Sequence, residues 1–553
     1  MASTPTTKSQ VQAYRFVIRR MESALVRKDP VMLHDPMRSH KRATVVGVII
    51  AAVGLIAFAV VGLFSPSGQL PSSGIVIGAQ SGQVYVVSKD PSELIPVFNV
   101  ASARLLMMVE NNKGNPLVPS PSSSSSSSST SAPVAPVTVD DSELTNGNVP
   151  MGRLTGIPDG PQELPAPGSG NSNWAVCDQL PTDASASDQQ PTTTVLAGES
   201  NIGTDLAQGQ ALLAQGPDNN QEYLIYDRTS NANNGEDDST VAAPIESSDS
   251  RLMTALNLRS TQPRLISAAL LGAIPQVTEI SNPVQNLPGF GTAPSNYSLQ
   301  GIKVGQSFAV TNASGPDSYY VALTDGVQSV TPTVAQIVLY ENDENTFTRL
   351  SGFQVGIGNI KQVNELNVGS YPDSIPQIVD AGGHPVTCLG WTADTSNSLK
   401  PLVRTRVTID TKLQLPTDPN TGSAMVTVPI GQASPDGEKV DDFFMNPSFQ
   451  SIAVHAATNP AEFSTGPIYI VSGRGVKYSV EDETTAQGLG IANSGSSDGM
   501  SAAPESIMRL LPSSAETLST ENVMRTYDSV PLPTNAGLYM VPSSEANAPA
   551  GGN

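Results

Sequence analysis

The chain has 553 residues, 38% of them hydrophobic and only 14% charged, with 29 Lys/Arg against 50 Asp/Glu for a formal net charge of −21. An acid excess of that size argues against a nucleic-acid binder, which needs basic patches for the phosphates. With 46 Gly, 45 Pro and 5% aromatics, the composition describes a loop-rich protein of several units rather than one compact enzyme core.

Ser9 to Lys28 reads SQVQAYRFVIRRMESALVRK and places Val11, Tyr14, Val17, Ile18, Met21 and Leu25 at helical spacing, among Arg15, Arg19, Arg20, Glu22 and Arg27. The spacing predicts a basic amphipathic helix ended by Asp29-Pro30. Tyr14, Arg15, Val17, Ile18, Arg19, Arg20 and Met21 form its candidate docking surface, toward the inner leaflet or a cytosolic partner. A solvated juxtamembrane helix is the plainer alternative.

Ala43 to Phe64, ATVVGVIIAAVGLIAFAVVGLF, is 22 residues without a charge or a proline. At about 1.5 Å per residue it makes a helix of roughly 33 Å, matched to a hydrocarbon core of about 30 Å. Arg38, Lys41 and Arg42 precede it and no charge follows until Lys89, so the positive-inside rule puts the N-terminus in the cytosol. The apolar run is too long for a cleaved signal core, and no A-x-A-like site follows. A single-pass, uncleaved anchor is expected, with residues 65–553 outside the membrane. Charge divides at the same place: nine Lys/Arg and three Asp/Glu stand before residue 43, leaving 20 and 47 after it. The basic segment suits anionic head groups.

Cys177 and Cys388 are the two cysteines, both on the outer side, and each has one of the two tryptophans close by, in Trp174-Ala-Val-Cys177 and Cys388-Leu-Gly-Trp391. An even count in an oxidising compartment reads as one disulfide, with two separate buried thiols as the alternative. The pairing of Cys with Trp predicts that both segments enter one core.

The outer region carries a weak repeat of a short strand, a turn and a short helix ending in an apolar pair. Its four expected copies combine 82–88 with 92–106, 222–227 with 260–275, 318–326 with 329–341, and 476–482 with 501–512. Pro263, Pro332 and Pro504 stand at matched distances before Leu270-Leu271, Val338-Leu339 and Leu510-Leu511, as prolines in a first helical turn would. The Ser/Pro tract 119–141 has too little apolar content to bury a core.

The run QVQAYRFVIRRMESALVRKDPVMLHDPMRSHKR followed by one membrane helix resembles the N-terminus of EccB, a core membrane component of the mycobacterial type VII (ESX) secretion machinery. WAVC and PVTCLGW resemble the same family. The resemblance implies a structural subunit of the inner-membrane pore that assembles with the ATPase EccC, EccD, EccE and a mycosin protease and self-associates outside the membrane. It also implies a β-rich α/β periplasmic region: a central disulfide-linked domain and four repeats similar to phage-lysin cell-wall-binding modules. Peptidoglycan binding is therefore the competing role, and a periplasmic hydrolase or ATPase is the further alternative. The expected layout is a cytosolic segment 1–42, membrane helix 43–64, linker 65–81, repeat one 82–118, Ser/Pro-rich linker 119–171, central domain 172–215 and 346–465, repeat two 216–280, repeat three 300–345, repeat four 466–520 and a Pro-rich tail 521–553.

Enzymatic chemistry finds little support in the motifs. Gly431 to Lys439 has the wrong spacing for a P-loop, and Gly495-Ser-Ser497-Asp-Gly499 lies in a Gly/Ser loop without a nucleophile elbow. His384 and His455 show no metal-ligand spacing, while His34 and His40 fall on the cytosolic side. The pairs Asp140-Asp141, Asp237-Asp238 and Asp441-Asp442 read as solvated carboxylates. The expectation is a chain with no catalytic residues, no cofactor, no metal and no enzymatic activity.

Overall fold

The computed structural model describes residues 7–28, 43–53, 70–111, 134–146, 149–170, 172–181, 190–217, 220–228, 239–299, 301–312, 315–351, 356–394, 402–431, 440–459, 462–493 and 499–530. The first helix spans Lys8–Arg27 and ends at Lys28, which has left-handed backbone angles. Its apolar side chains stay exposed, Tyr14 at 67% and Leu25 at 79%. Residues 43–53 are helical, whereas 54–64 and Arg38, Lys41 and Arg42 lie outside the described residues. Among the described residues no helix is long and apolar enough to cross a membrane.

A seven-stranded sheet occupies the centre, in the order Val428–Pro429, Asp442–Met445, Thr192–Ala197, Asn173–Gln179, Val386–Asp394, Leu402–Asp410, Thr204–Asp205. In its antiparallel middle pair Cys177 faces Cys388 and Trp174 faces Trp391. The disulfide forms there, with Cα atoms 3.9 Å apart. Side chains alternate along a strand, so an odd spacing of three sends Trp and Cys to opposite faces. The cystine packs with Ala175, Leu196, Ile202, Val386 and Phe444, and the tryptophans pack into the larger core on the other side. Both segments thus enter one core, around the two tryptophans; the cystine packs in a separate cluster on the opposite face, so Trp174 and Trp391 are not aromatics of the disulfide's own core.

Four further sheets have one construction: a three-stranded antiparallel meander, a helix, and a fourth strand parallel to the first. Module I uses Gly74–Gly78, Val84–Lys89 and Ser92–Val97, helix Val100–Asn111 and strand Val137–Val139. Module II uses Gln210–Gln215, Glu222–Arg228 and Ser239–Ile245, helix Ser250–Ala255 and strand Arg264–Leu265. Module III uses Ser307–Thr311, Ser318–Ala322 and Val327–Val330, helix Pro332–Glu341 and strand Thr348–Ser351. Module IV uses Ser451–Ala457, Ile468–Ser472 and Lys477–Val480, helix Glu483–Leu489 and strand Ser501–Pro504.

Two local features recur in all four. The second residue of the second strand is Tyr85, Tyr223, Tyr319 or Tyr469. A returning segment also covers the open edge of the third strand: the carbonyls of Pro150, Pro275, Lys361 and Pro512 accept from the N–H groups of Leu94, Ala242, Val327 and Lys477, each at 2.9 Å. In modules I and II a glutamine before the second strand bridges two carbonyls. Gln83 Nε2 donates to Val84 O and Val97 O at 3.2 and 2.8 Å, and Gln221 Nε2 donates to Glu222 O and Ile245 O at 3.0 and 2.8 Å.

The phase of these modules differs from the repeat expected from the sequence. The first strand of each lies ahead of the expected unit, and 477–480 is a third strand rather than a second. Stretches 260–275 and 501–512 hold fourth strands and second helices, Ala268–Ala273 and Glu505–Met508, whereas 329–341 holds a first helix. Pro332 starts that helix, whereas Pro263 precedes a fourth strand and Pro504 ends one, capping the second helix Glu505–Met508 of module IV. The end of the Ser/Pro tract, Val137–Val139, is module I's fourth strand; residues 119–133 lie outside the described residues.

Candidate assembly joints and membrane segments

The modules pack in pairs through their first helices. Helix Val100–Asn111 of module I lies against Glu483–Leu489 of module IV, burying Leu105, Leu106, Leu489 and Ile470 in one core. Helix Ser250–Ala255 of module II lies against Pro332–Glu341 of module III around Leu252, Leu256, Val334 and Ile337. At the first joint Arg104 Nη1 donates to the Leu489 carbonyl, and burial lowers the affinity of that guanidinium for its proton. Gly488 sits directly over Met108.

The second helices of modules II and IV meet over the tryptophan face of the central sheet. A buried polar row fixes module II there. Asp178, 2% exposed, accepts from Ser267 N at 2.6 Å, Ser267 Oγ at 2.8 Å and Thr193 Oγ1 at 2.7 Å. Ser267 Oγ in turn accepts from Leu270 N at 3.0 Å and caps the helix. Burial pushes the Asp178 carboxyl above the ordinary carboxylate range, against the pull of those hydrogen bonds. Across the strand pair, Thr387 Oγ1 accepts from Arg264 Nη1. Arg264 is 3% exposed, and its burial brings the guanidinium down to about 10.

The last described strand, Thr526–Tyr527, joins the sheet of module I beside Leu154–Thr155. Asp528 pairs with Arg153 at 2.9 Å and the Tyr527 ring meets Phe98 edge-on at 5.4 Å. The chain thus closes on its first module. On the edge of the central sheet, Met425, Val426, Val428, Phe444, Met445 and Pro447 line an open groove of about 400 Å³.

The sequence-derived site residues fall in separate places. Tyr14, Arg15, Val17, Ile18, Arg19, Arg20 and Met21 share the exposed first helix. His455 is buried in a strand of module IV with Nδ1 2.9 Å from Gly466 O, while His384 sits in a turn before strand Val386–Asp394. Asp441 accepts from Thr193 N at 2.9 Å inside the central sheet, and Asp141 accepts from Ser81 N at 2.9 Å, so neither is simply solvated. His34, His40, Asp237, Asp238, residues 432–439 and Ser497 lie outside the described residues. Sequence reasoning missed Asp178, Arg264 and Ser267, because their meaning depends on which strands become neighbours.

The family profile described as "Type VII secretion system ESX-1, transport TM domain B" matches residues 3–532. The chain belongs to the EccB family. EccB5 of Mycobacterium marinum is 27% identical over 549 residues, covering 97% of this chain and 96% of that protein. EccB3 of Mycolicibacterium smegmatis is 27% identical over 506 residues, covering 88% and 85%. EccB1 of Mycobacterium tuberculosis is 26% identical over 557 residues, covering 98% and 99%. Among solved structures, a chain of an intact ESX-5 inner membrane complex superimposes with a TM-score of 0.65 at 25% identity, covering 98% of this chain and 99% of that one. A chain of the EccB3 dimer from an ESX-3 core complex gives 0.62 at 22% identity, covering 82% and 100%, and shows the same fold.

These relatives correct one expectation. The sequence reading assigned no enzymatic activity, yet the EccB5, EccB3 and EccB1 relatives are named secretion system ATPases. The sequence lacks a P-loop, a nucleophile elbow and metal-ligand spacing, but nucleotide chemistry need not use any of the three.

Proposed function

We propose that this chain is a membrane-anchored structural subunit of a type VII secretion complex in the inner membrane. Its periplasmic modules would build the assembly around the export path. The observation that carries the reading is the likeness over 98% of the chain to a subunit of an intact ESX-5 inner membrane complex. Residues 43–64 would span the bilayer once with the N-terminus in the cytosol, and helix Lys8–Arg27 would dock on lipid or on a cytosolic face of the machine. The exposed apolar residues of that helix support this, because contiguous apolar surface of this kind marks a site for a partner or a membrane. EccC, EccD, EccE and a mycosin are the proposed partners.

The four β-β-β-α-β sheets are, in this reading, four copies of one module, of which I with IV and II with III form two pairs. Removing residues 82–553 while keeping the anchor tests the role. Complexes isolated from cells carrying only the truncated chain should lose periplasmic self-association; an intact periplasmic assembly would refute it. The ATPase name of the relatives makes nucleotide turnover by the assembled complex the activity to measure beside it.

A further inference from the structure

The joint between modules II and III brings carboxylates together without enough cations to neutralise them. Glu341 is the last residue of helix Pro332–Glu341 and Asp249 is the N-cap of helix Ser250–Ala255. Asp249 Oδ1 accepts from Arg251 N at 2.9 Å and from Leu252 N at 3.2 Å, the placement in which a carboxylate complements a helix N-terminus. Glu341 has the opposite placement. A helix C-terminus disfavours an anion, Glu341 Oε2 accepts from Asn282 Nδ2 at 3.0 Å, and buried Oε1 receives no N–H or O–H donor among the described residues, so a hydrogen bond between Glu341 and Asp249 requires a proton on one of the two carboxyls. Glu246 approaches from the strand-to-helix connection of module II. Arg251 is the cation in reach, and it is committed to Asp343 at 2.8 Å. Beyond the helix end, Gln306 Nε2 donates to Glu344 Oε1, and Arg259 lies with Tyr340 in the adjoining cleft.

We propose that this joint is a proton-dependent latch: Glu341 and Asp249 share one proton across the two helices, and its loss sets like charges against each other and loosens module III from module II. Module pairing would then differ chemically between the two halves of the molecule, because the joint of modules I and IV is closed by Arg104 on a backbone carbonyl and by apolar packing. The proposal stands independently of the assembly role.

The protonation balance agrees with the geometry. Burial pushes the Glu341 carboxyl up to about 7, with the Asp249 charge and hydrogen bond and the Glu246 charge adding to it and Arg251 opposing. An unfolded glutamate titrates near ~4.3, so the folded joint binds the extra proton. Its contribution is complete below the unfolded value and is lost as pH rises through about 7.

Hydrogen exchange on the full-length protein in mild detergent, corrected for intrinsic exchange, tests this. Between about pH 5.5 and about pH 8.5 the amides of helices Ser250–Ala255 and Pro332–Glu341 should lose roughly tenfold in protection, the effect of one pKa unit. Helices Val100–Asn111 and Glu483–Leu489 should hold theirs. Glu341→Gln, which keeps an acceptor for Asn282 and offers Asp249 a permanent donor, should abolish the dependence. Asp249→Asn retains a good N-cap and should weaken it, which gives a second variant where the first folds poorly. Equal change at both joints, no change at either, or full pH dependence surviving in the substituted proteins would overturn the latch.

Discussion

The pairing of modules I and IV turns on Gly488. A Cβ at that position would lie 1.8 Å from Met108 Sδ, 2.5 Å from Cε and 2.7 Å from Cγ. Carbon contacts sit at about 3.5–4.0 Å, so the thioether must retreat by about 2 Å for the smallest side chain and further for a larger one. Gly488→Leu should cost about 3 kcal/mol through overpacking, offset by ~1 kcal/mol of helix propensity, for a net loss of about 2 kcal/mol. Met108→Ala in the same chain opens the space and should restore at least ~1 kcal/mol, since residues in contact couple. Gly383→Leu is the control: a Cβ there meets nothing within 4 Å, and the change should stay within ~0.5 kcal/mol. Denaturant unfolding of the full-length protein in mild detergent measures all three variants, and limited proteolysis reports whether module I is released first. If Gly488→Leu unfolds with Gly383→Leu, or if Met108→Ala only adds to the loss, the close helix crossing is not what holds the pair.

Other perturbations test the remaining contacts. The disulfide joins residues separated by 211 positions, so replacing Cys177 and Cys388 by Ser should cost up to ~5 kcal/mol in the entropic account; the loss should be absent when wild type and variant are compared under reducing conditions. Asp178→Ala removes the acceptor of three buried hydrogen bonds and should lower stability by about 3 kcal/mol, with hydrogen exchange rising first in helix Ala268–Ala273. Gln83→Ala and Gln221→Ala should each cost about 1 kcal/mol, and equal losses in modules I and II would mark the two bridges as equivalent.

Much of the central sheet could be read from residues alone. W-A-V-C and C-L-G-W are mirror spacings, and an antiparallel pair with Cys177 opposite Cys388 necessarily puts Trp174 opposite Trp391. What the spacing hid was the face: period-two alternation puts the cystine on one side of the sheet and the two tryptophans on the other. The strand-turn-helix units expected from the sequence fall out of phase with the four sheets. Their first strands, such as GIVIG, QALLAQ and SIAVHAA, are buried along nearly their whole length and show no alternation to announce a strand. The first helices of modules II and IV, SRLMTA and ETTAQGL, are short and begin with polar residues, so the more apolar second helices were aligned with the first helix of module III. The better markers were local and easily passed over, namely the tyrosine in each second strand and the proline carbonyl that closes three of the four third-strand edges. Asp178 and Arg264 gave no signal, because burial of a charge is a property of the docked module and not of its own segment. The motifs pointed away from an enzyme, and the ATPase names of the relatives contradict that expectation.

The most direct test of the proposed role is affinity purification of the full-length chain from its native membrane in mild detergent, with the particle mass determined and the accompanying proteins identified. A megadalton particle containing an ATPase subunit and several copies of this chain is the predicted result, and it would turn attention to the module faces that touch neighbouring copies. Recovery of a lone monomer or dimer carrying peptidoglycan fragments would contradict the scaffold account and establish wall binding in its place.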